Sequence, residues 1–168
     1  MPGTVELDGD SFFLGQGAWW FPFHNAADGV AEMLIAGQER EYLDHMIRAL
    51  MFDPARFTEY DLNVYYRSWS SPNGITAALG YYRTMPQDIA FAQDMIASDQ
   101  LLDVPVLAVG GGHSTVGNSG TVASLERLSR SVQGVVIPPC GHYLAEECPV
   151  ELLSVLNDFL ARTSRSEE

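Results

Sequence analysis

The order of apolar and polar positions divides the sequence into a helical part and a part that alternates strands and helices. Between residues 26 and 98, apolar residues recur at every third or fourth position, which is the period of an α-helix that faces a core. Glycine and proline interrupt this pattern, so we predict about four or five short helices in this part. The residues before position 19 are rich in glycine and carry no helical pattern, which indicates a loop-rich start.

Two apolar runs follow the helical part. Residues 104–109 form the first run, which ends in glycines, and Val132–Ile137 form the second. Such runs are typical of strands in a parallel sheet, and the amphipathic segments 119–130 and 150–160 come after them. We therefore predict a strand-helix-strand-helix unit with a right-handed crossover. The side chains that we expect to point inward from the last helix are Leu152, Leu153, Leu156, Phe159 and Leu160.

The pattern predicts one α/β unit in a chain of 168 residues. Its parts are a loop-rich segment (1–18), a helical region (19–98) and a strand-and-helix region (99–168). Two strands and two helices are too few to bury both faces of a parallel sheet, which is normally several strands wide. Either the helical region folds over the strands, or the chain lacks strands that the sheet was built to include.

Charge and composition narrow the range of partners. The chain has 22 acidic and 9 basic residues, all of the latter arginine, for a formal net charge of −13. Because such a field repels phosphate and anionic lipid, we expect no nucleic-acid or membrane partner. No secretory leader or apolar run of about 20 residues is evident, so a soluble, cytoplasmic protein is expected. The histidine spacing favours no metal site, and no cofactor is expected.

The two cysteines, Cys140 and Cys148, are predicted to be free thiols. Their number is too small for a disulfide framework. Their spacing matches neither a redox pair nor a zinc motif.

His142 is the residue with the clearest chemical potential. It comes just after the second strand, beside Gly141 and ahead of a helix, where hydrolases built on open parallel sheets place a general base. A loop histidine without a catalytic role is the alternative. His24 and His45 lie in the helical region, where a core or surface histidine is the commoner case.

Two neighbouring carboxylates follow His142. Glu146 and Glu147 come just before Pro149, where the last helix is predicted to begin. Negative charge is favourable at a helix N-terminus, so we predict that both side chains cap this helix.

Five segments of the sequence occur in the order found in one enzyme family. They are residues 19–24, 31–43, 81–83, 105–111 and 140–142. Together they resemble the epoxide hydrolase and haloacid dehalogenase branch of the α/β-hydrolase family, over about residues 19–160. The resemblance implies the C-terminal fragment of an α/β-hydrolase fold, in which a helical cap precedes the last two strands of the core.

The resemblance also implies covalent chemistry. In that family a carboxylate attacks a substrate carbon, and a histidine activates the water that hydrolyses the ester. His142 matches this histidine, and Tyr82 matches the cap tyrosine that hydrogen-bonds an epoxide oxygen or helps to hold a leaving halide. The residues that would line the pocket of a small apolar substrate are Trp19, Trp20, His24 and Tyr81. Packing within a helical layer is the alternative role for these aromatic side chains.

Several parts of the family pattern have no counterpart in the sequence. The earlier strands are absent, and with them the oxyanion loop and the elbow that presents the nucleophile. The segment 112–116 contains a serine but lacks the spacing of such an elbow. The loop after Val109 contains no carboxylate that could orient His142, and Asp8 or Asp10 are conceivable substitutes.

Two hypotheses follow. In the first, the chain is part of a hydrolase for epoxides or carbon–halogen bonds and is inactive alone, because its carboxylate nucleophile is missing. In the second, it is a non-catalytic binding or assembly module derived from that fold. An exposed edge of the first strand would then pair with another copy or with a complementary chain.

Overall fold

The computed structural model describes residues 19–114 and 119–164, in which a layer of helices precedes a parallel sheet. The helices of the first part are α1 (Trp20–His24), α2 (Val30–Ile35), α3 (Glu39–Leu50), α4 (Glu59–Trp69), α5 (Gly74–Arg83) and α6 (Met85–Ala97), with 3₁₀ turns at Ala27–Gly29 and Pro54–Arg56. The second part contains β1 (Val106–Gly111), α7 (Ser119–Glu126), β2 (Val132–Ile137), α8 (Leu144–Glu147) and α9 (Pro149–Thr163). The predicted order of helical layer and strand-helix-strand-helix unit is confirmed.

Local signals explain how α3 and α4 form and pack. Thr58 accepts a hydrogen bond from the Asp61 amide, and the Asp61 carboxylate accepts one from the Thr58 amide, so a capping box starts α4. The apolar side of α3 faces this helix. The buried cluster between them consists of Leu43, Ile47, Met51, Phe57 and Leu62. The helical layer therefore has an apolar core of its own.

Some boundaries differ from the prediction. β2 has the predicted bounds, but β1 begins two residues later than expected, because Pro105 has no amide hydrogen to donate to a neighbouring strand. Pro54 begins a 3₁₀ turn, and the α-helix α4 begins only at Glu59. The helix α1 was not predicted, since its five residues are too few to show a helical period.

The two strands pair in parallel and have a helix on each face. Val106 is opposite Val132, and the register continues to Gly111 and Ile137. A β-carbon at Gly134 would collide with Val122 of α7, so α7 lies close against this face. The side chains of Val109 and Val135 point the other way and pack in a cluster that includes Leu152 of α9. The helical layer thus does not fold over a face of the sheet.

The last helix buries less than its sequence suggests. The prediction that Leu153, Leu156 and Leu160 point inward is wrong, because these side chains are exposed, Leu153 to 57%. Leu152 and Phe159 are half-buried, so α9 rests on the sheet along a narrow strip. None of the described helices has both the length and the apolar character needed to cross a bilayer.

The cysteines are not free thiols, which corrects the prediction. Cys140 and Cys148 form a disulfide, and their α-carbons lie 6.2 Å apart. Both are buried, because the turn after β2 and the short helix α8 bring the chain back to the same apolar cluster. The disulfide closes the loop that carries His142. The expected cytoplasmic location stays a prediction, and it loses the support that free thiols would have given it.

Candidate functional site

His142 lies beyond the carboxyl end of β2 and contacts the helical layer through its backbone. Its amide donates a hydrogen bond to the carbonyl of Leu50, the last residue of α3, at 3.0 Å. The imidazole is exposed, and its ring centre lies 5.2 Å from that of Tyr143, at nearly a right angle. The backbone of His142 is therefore fixed, while its ring is partly accessible to solvent and partly desolvated by its neighbours.

Ser114 is a neighbour of His142 that the sequence analysis did not assign to the site. Its hydroxyl lies 3.5 Å from Nδ1 of His142, at the long end of the hydrogen-bond range. If this hydroxyl accepts a hydrogen bond from Nδ1–H, Nε2 keeps its lone pair and is able to act as a base. Ser114 is thus an uncharged hydrogen-bond partner at Nδ1 of His142, the nitrogen that a carboxylate would otherwise orient. Asp8 and Asp10, the proposed substitutes, lie outside the described residues.

Two carboxylates near His142 do not have their predicted roles. No side chain caps α9, so the prediction that Glu146 and Glu147 do so is wrong. The Glu147 carboxylate accepts a hydrogen bond from the Phe52 amide, and the Glu146 carboxylate accepts one from the Tyr65 hydroxyl. Desolvation lowers the pKa of His142, while the negative charge of Glu147 acts against this shift. Glu147 therefore influences the candidate base through the electric field.

Tyr82 of α5 comes within electrostatic range of the His142 loop. Desolvation and then the neighbouring Tyr81 raise the pKa of Tyr82, so its hydroxyl stays protonated at neutral pH. Desolvation, then Tyr82 and Glu146, raise the pKa of Tyr143 to about 12. Because Tyr143 adjoins His142, Tyr82 is within electrostatic range of a direct neighbour of the candidate base. Sequence reasoning missed Tyr143, which shows no pattern of its own.

The four aromatic and histidine side chains of the expected pocket divide into two groups. Trp20 and His24 are buried, whereas Trp19 is 47% and Tyr81 55% exposed. The ring of His24 lies 4.3 Å from that of Tyr82, and Trp20 belongs to a cluster against which Tyr82 packs. Their roles in substrate binding stay predictions.

His24 is a buried histidine with one unsatisfied nitrogen. Its Nε2 is hydrogen-bonded to the Tyr42 hydroxyl, and its Nδ1 has no hydrogen-bond partner in the described part of the chain. Desolvation, and then the positive charge of Arg83, lower its pKa to about 4. The folded protein therefore holds this imidazole in its neutral form down to mildly acidic pH.

This burial makes the stability of the helical layer depend on pH. In the unfolded chain His24 binds a proton near pH 6.5, but in the folded chain only near pH 4. Its contribution is therefore fully present above pH 6.5 and is lost as the pH falls toward 4. We expect about 2 kcal/mol of the free energy of unfolding to be lost between pH 7 and 5, and expect His24→Gln to remove this loss. Urea denaturation measures it, with exposed His45→Gln as the control. Parallel pH curves for all three proteins would contradict the prediction.

Other parts of the described structure do not add to the site. A depression of about 240 Å³ lies between the beginnings of the strands, at Val106 and Val132, and the end of α9. This is the end of the sheet opposite to His142. In residues 19–114 and 119–164, no three His, Cys, Asp or Glu side chains are grouped as a metal site would require.

Comparison with known proteins finds epoxide hydrolases among the relatives. No protein-family profile matches the sequence. The soluble epoxide hydrolase of Corynebacterium sp. (strain C12) is 27% identical over 167 residues, which are 96% of this chain and 56% of that protein. The structure of Cfl2 from Burkholderia cenocepacia is 33% identical, with a TM-score of 0.76, over 90% of this chain and 49% of that one.

A third relative is similar in fold. The Cif epoxide hydrolase of Acinetobacter nosocomialis matches 84% of this chain and 44% of its own, with a TM-score of 0.75 and 24% identity. The chain thus spans about half the length of the proteins that it matches. In sequence and in fold, the chain resembles part of an α/β-hydrolase of the epoxide hydrolase type, made of a helical cap and the strand-and-helix unit that carries His142.

Proposed function

We propose that this chain supplies the cap and the water-activating base of an α/β-hydrolase that opens epoxides or breaks carbon–halogen bonds. The carboxylate nucleophile lies outside the chain, so the chain alone turns over no substrate. The observation that supports this most directly is the electrostatic proximity of Tyr82 to Tyr143, which adjoins His142. A cap hydroxyl and a strand-end imidazole are the two groups that such a reaction needs besides its nucleophile.

In the first step, a carboxylate oxygen from outside the chain attacks an epoxide carbon, and the carbon–oxygen bond of the ring breaks. The released oxygen takes the proton of the Tyr82 hydroxyl. The raised pKa of Tyr82 ensures that this hydroxyl is protonated before the reaction. The product of the step is a hydroxyalkyl ester of the carboxylate.

In the second step, neutral His142 takes a proton from water, and the water oxygen attacks the ester carbonyl carbon. The ester bond breaks, and the leaving alkoxide receives the proton that His142 holds. The new carboxyl group returns a proton to Tyr82, so the enzyme is restored and a diol is released. The lowered pKa of His142 keeps its imidazole neutral, as a base must be.

The substrate that we propose is small and apolar. Trp20 and His24 would form the buried wall beneath Tyr82, and Trp19 and Tyr81 the exposed rim of the pocket. This surface consists of aromatic rings and carries few charges, which suits an apolar epoxide or haloalkyl group.

Supplying the missing half tests the proposal. We would produce the part of the Corynebacterium hydrolase that this chain does not match, and assay epoxide and haloacid hydrolysis with each polypeptide alone and with both together. We expect turnover in the mixture, or in a fusion of the two, and none from either alone. Robust turnover by the purified chain, abolished by His142→Ala, would contradict the proposal.

A non-catalytic assembly module is the second candidate. The exposed stripe Val150, Leu153 and Leu160 on α9 favours association with another copy or a complementary chain, as does the edge of β1 that pairs with no strand among residues 19–114 and 119–164. The mixing experiment separates the two candidates. Stable association without turnover, for every epoxide and haloacid tested, would favour the module.

A further inference from the structure

A buried carboxylate joins the cap to the His142 loop. Glu147, at the end of α8, is only 1% exposed. Its Oε2 accepts hydrogen bonds from the amides of Phe52, at 2.7 Å, and Asp53, at 3.1 Å. Its Oε1 accepts one from the Tyr143 amide at 3.3 Å. One carboxylate thus connects backbone groups from two segments that are more than ninety residues apart.

The same junction contains further contacts that leave it little freedom. The His142 amide donates to Leu50, and the Arg56 guanidinium donates to the main-chain carbonyl of Glu147. Gly141 lies so close to the segment after α3 that a β-carbon on Gly141 would collide with the Phe52 amide nitrogen. The His142 loop therefore packs against the segment from Leu50 to Asp53.

Burial of this carboxylate needs a reason beyond packing. Removing a charged group from water is costly, and replacement by an apolar side chain is often neutral or stabilising where a charge has no other task. Glu147 has such a task available, since its charge acts on His142 and opposes the effect of desolvation on the pKa of that imidazole. A base works best when its pKa lies near the working pH.

We propose that Glu147 is a positioning residue for His142. Glu147 holds the histidine loop against the cap segment Phe52–Asp53 and sets the electrostatic environment of the imidazole. This inference rests on the proposed role of His142 as the base. It assigns Glu147 an effect on the reaction without contact with the substrate.

NMR titration of the His142 imidazole tests the inference in the chain as it exists. In Glu147→Gln we expect the pKa of His142 to fall by about half a pH unit or more, since the opposing negative charge is lost. We also expect faster hydrogen exchange at the amides of Phe52 and Asp53. Glu146→Gln is the matched control, with the same change of charge one residue away, and we expect it to leave both readouts unchanged. Unchanged titration and exchange in folded Glu147→Gln would overturn the inference.

A second variant decides the question if Glu147→Gln does not fold. Glu147→Asp keeps the charge and shortens the side chain by one methylene, so we expect weaker protection of the Phe52 and Asp53 amides together with a shifted His142 titration. Loss of protection with an unaltered titration would mean a structural role only, and would overturn the inference. Neither readout needs turnover. An inactive mixture therefore bears on the proposed hydrolase and not on Glu147, and an active mixture does not rescue a failed titration.

Discussion

Replacing His142 by glutamine in the complemented hydrolase is expected to lower kcat by a factor of about 10² to 10⁴. The substitution removes the group that takes the proton from water and leaves the cap and its aromatic side chains in place. Because the ester still forms while its hydrolysis is slowed, we expect KM to fall together with kcat. Steady-state hydrolysis of an epoxide by the mixture of the two polypeptides measures both quantities.

A neighbouring histidine provides the control for this experiment. His113 lies in the loop after β1, with its ring 4.2 Å from that of Phe52, and has no part in the proposed reaction. We expect His113→Gln to retain kcat within about threefold. A His142→Gln variant that also kept its kcat in this range would remove His142 from the reaction.

Replacing Gly141 by alanine is expected to destabilise the protein strongly. A β-carbon at this position would lie 2.5 Å from Oε1 of Glu147 and 2.9 Å from the carbonyl carbon of Met51, and closer still to the Phe52 nitrogen. Two of these neighbours are backbone atoms, so relief requires the His142 loop to move away from the cap. We expect the free energy of unfolding to fall by about 3 kcal/mol or more.

The same substitution at Gly80 is the control. Gly80 lies inside α5, and a β-carbon there would meet no heavy atom within 4 Å. Alanine is the better helix former, so Gly80→Ala should stabilise the protein by up to about 1 kcal/mol. Urea denaturation of both variants gives the comparison. Similar stabilities for the two would mean that the loop around Gly141 does not rest on the cap as described.

The sequence was informative where structure depends on neighbouring residues. The apolar runs predicted both strands, because buried parallel strands need apolar side chains on both faces. The position of His142 followed from the end of β2 and the glycine beside it. Helical periods predicted the layer of helices, although α1 was too short to show a period.

Contacts between distant segments were beyond the reach of sequence patterns. Glu147 was predicted to cap α9 because it precedes that helix, but its carboxylate instead meets the amide of Phe52, 95 positions away. Ser114 comes near His142 only because two loops 28 positions apart meet at the ends of the strands. The Cys140–Cys148 disulfide depends on how the chain turns after β2, which their spacing alone did not indicate.

These contacts fix the arrangement of the residues around His142. The histidine loop is closed by a disulfide, hydrogen-bonded to the end of α3 and joined to the cap by Glu147. The imidazole itself is exposed. In the proposal, this exposed ring faces the nucleophile that a complementary polypeptide brings.

The mass of the reaction intermediate tests the central claim most directly. Without its base, the proposed hydrolase should form the ester but fail to hydrolyse it. We would mix His142→Gln with the complementary polypeptide and an epoxide, quench the reaction, and measure the intact mass of each chain. The account predicts that the complementary polypeptide gains the mass of one substrate molecule and that this chain gains none. Modification of this chain, or continued turnover with both chains unmodified, would contradict it.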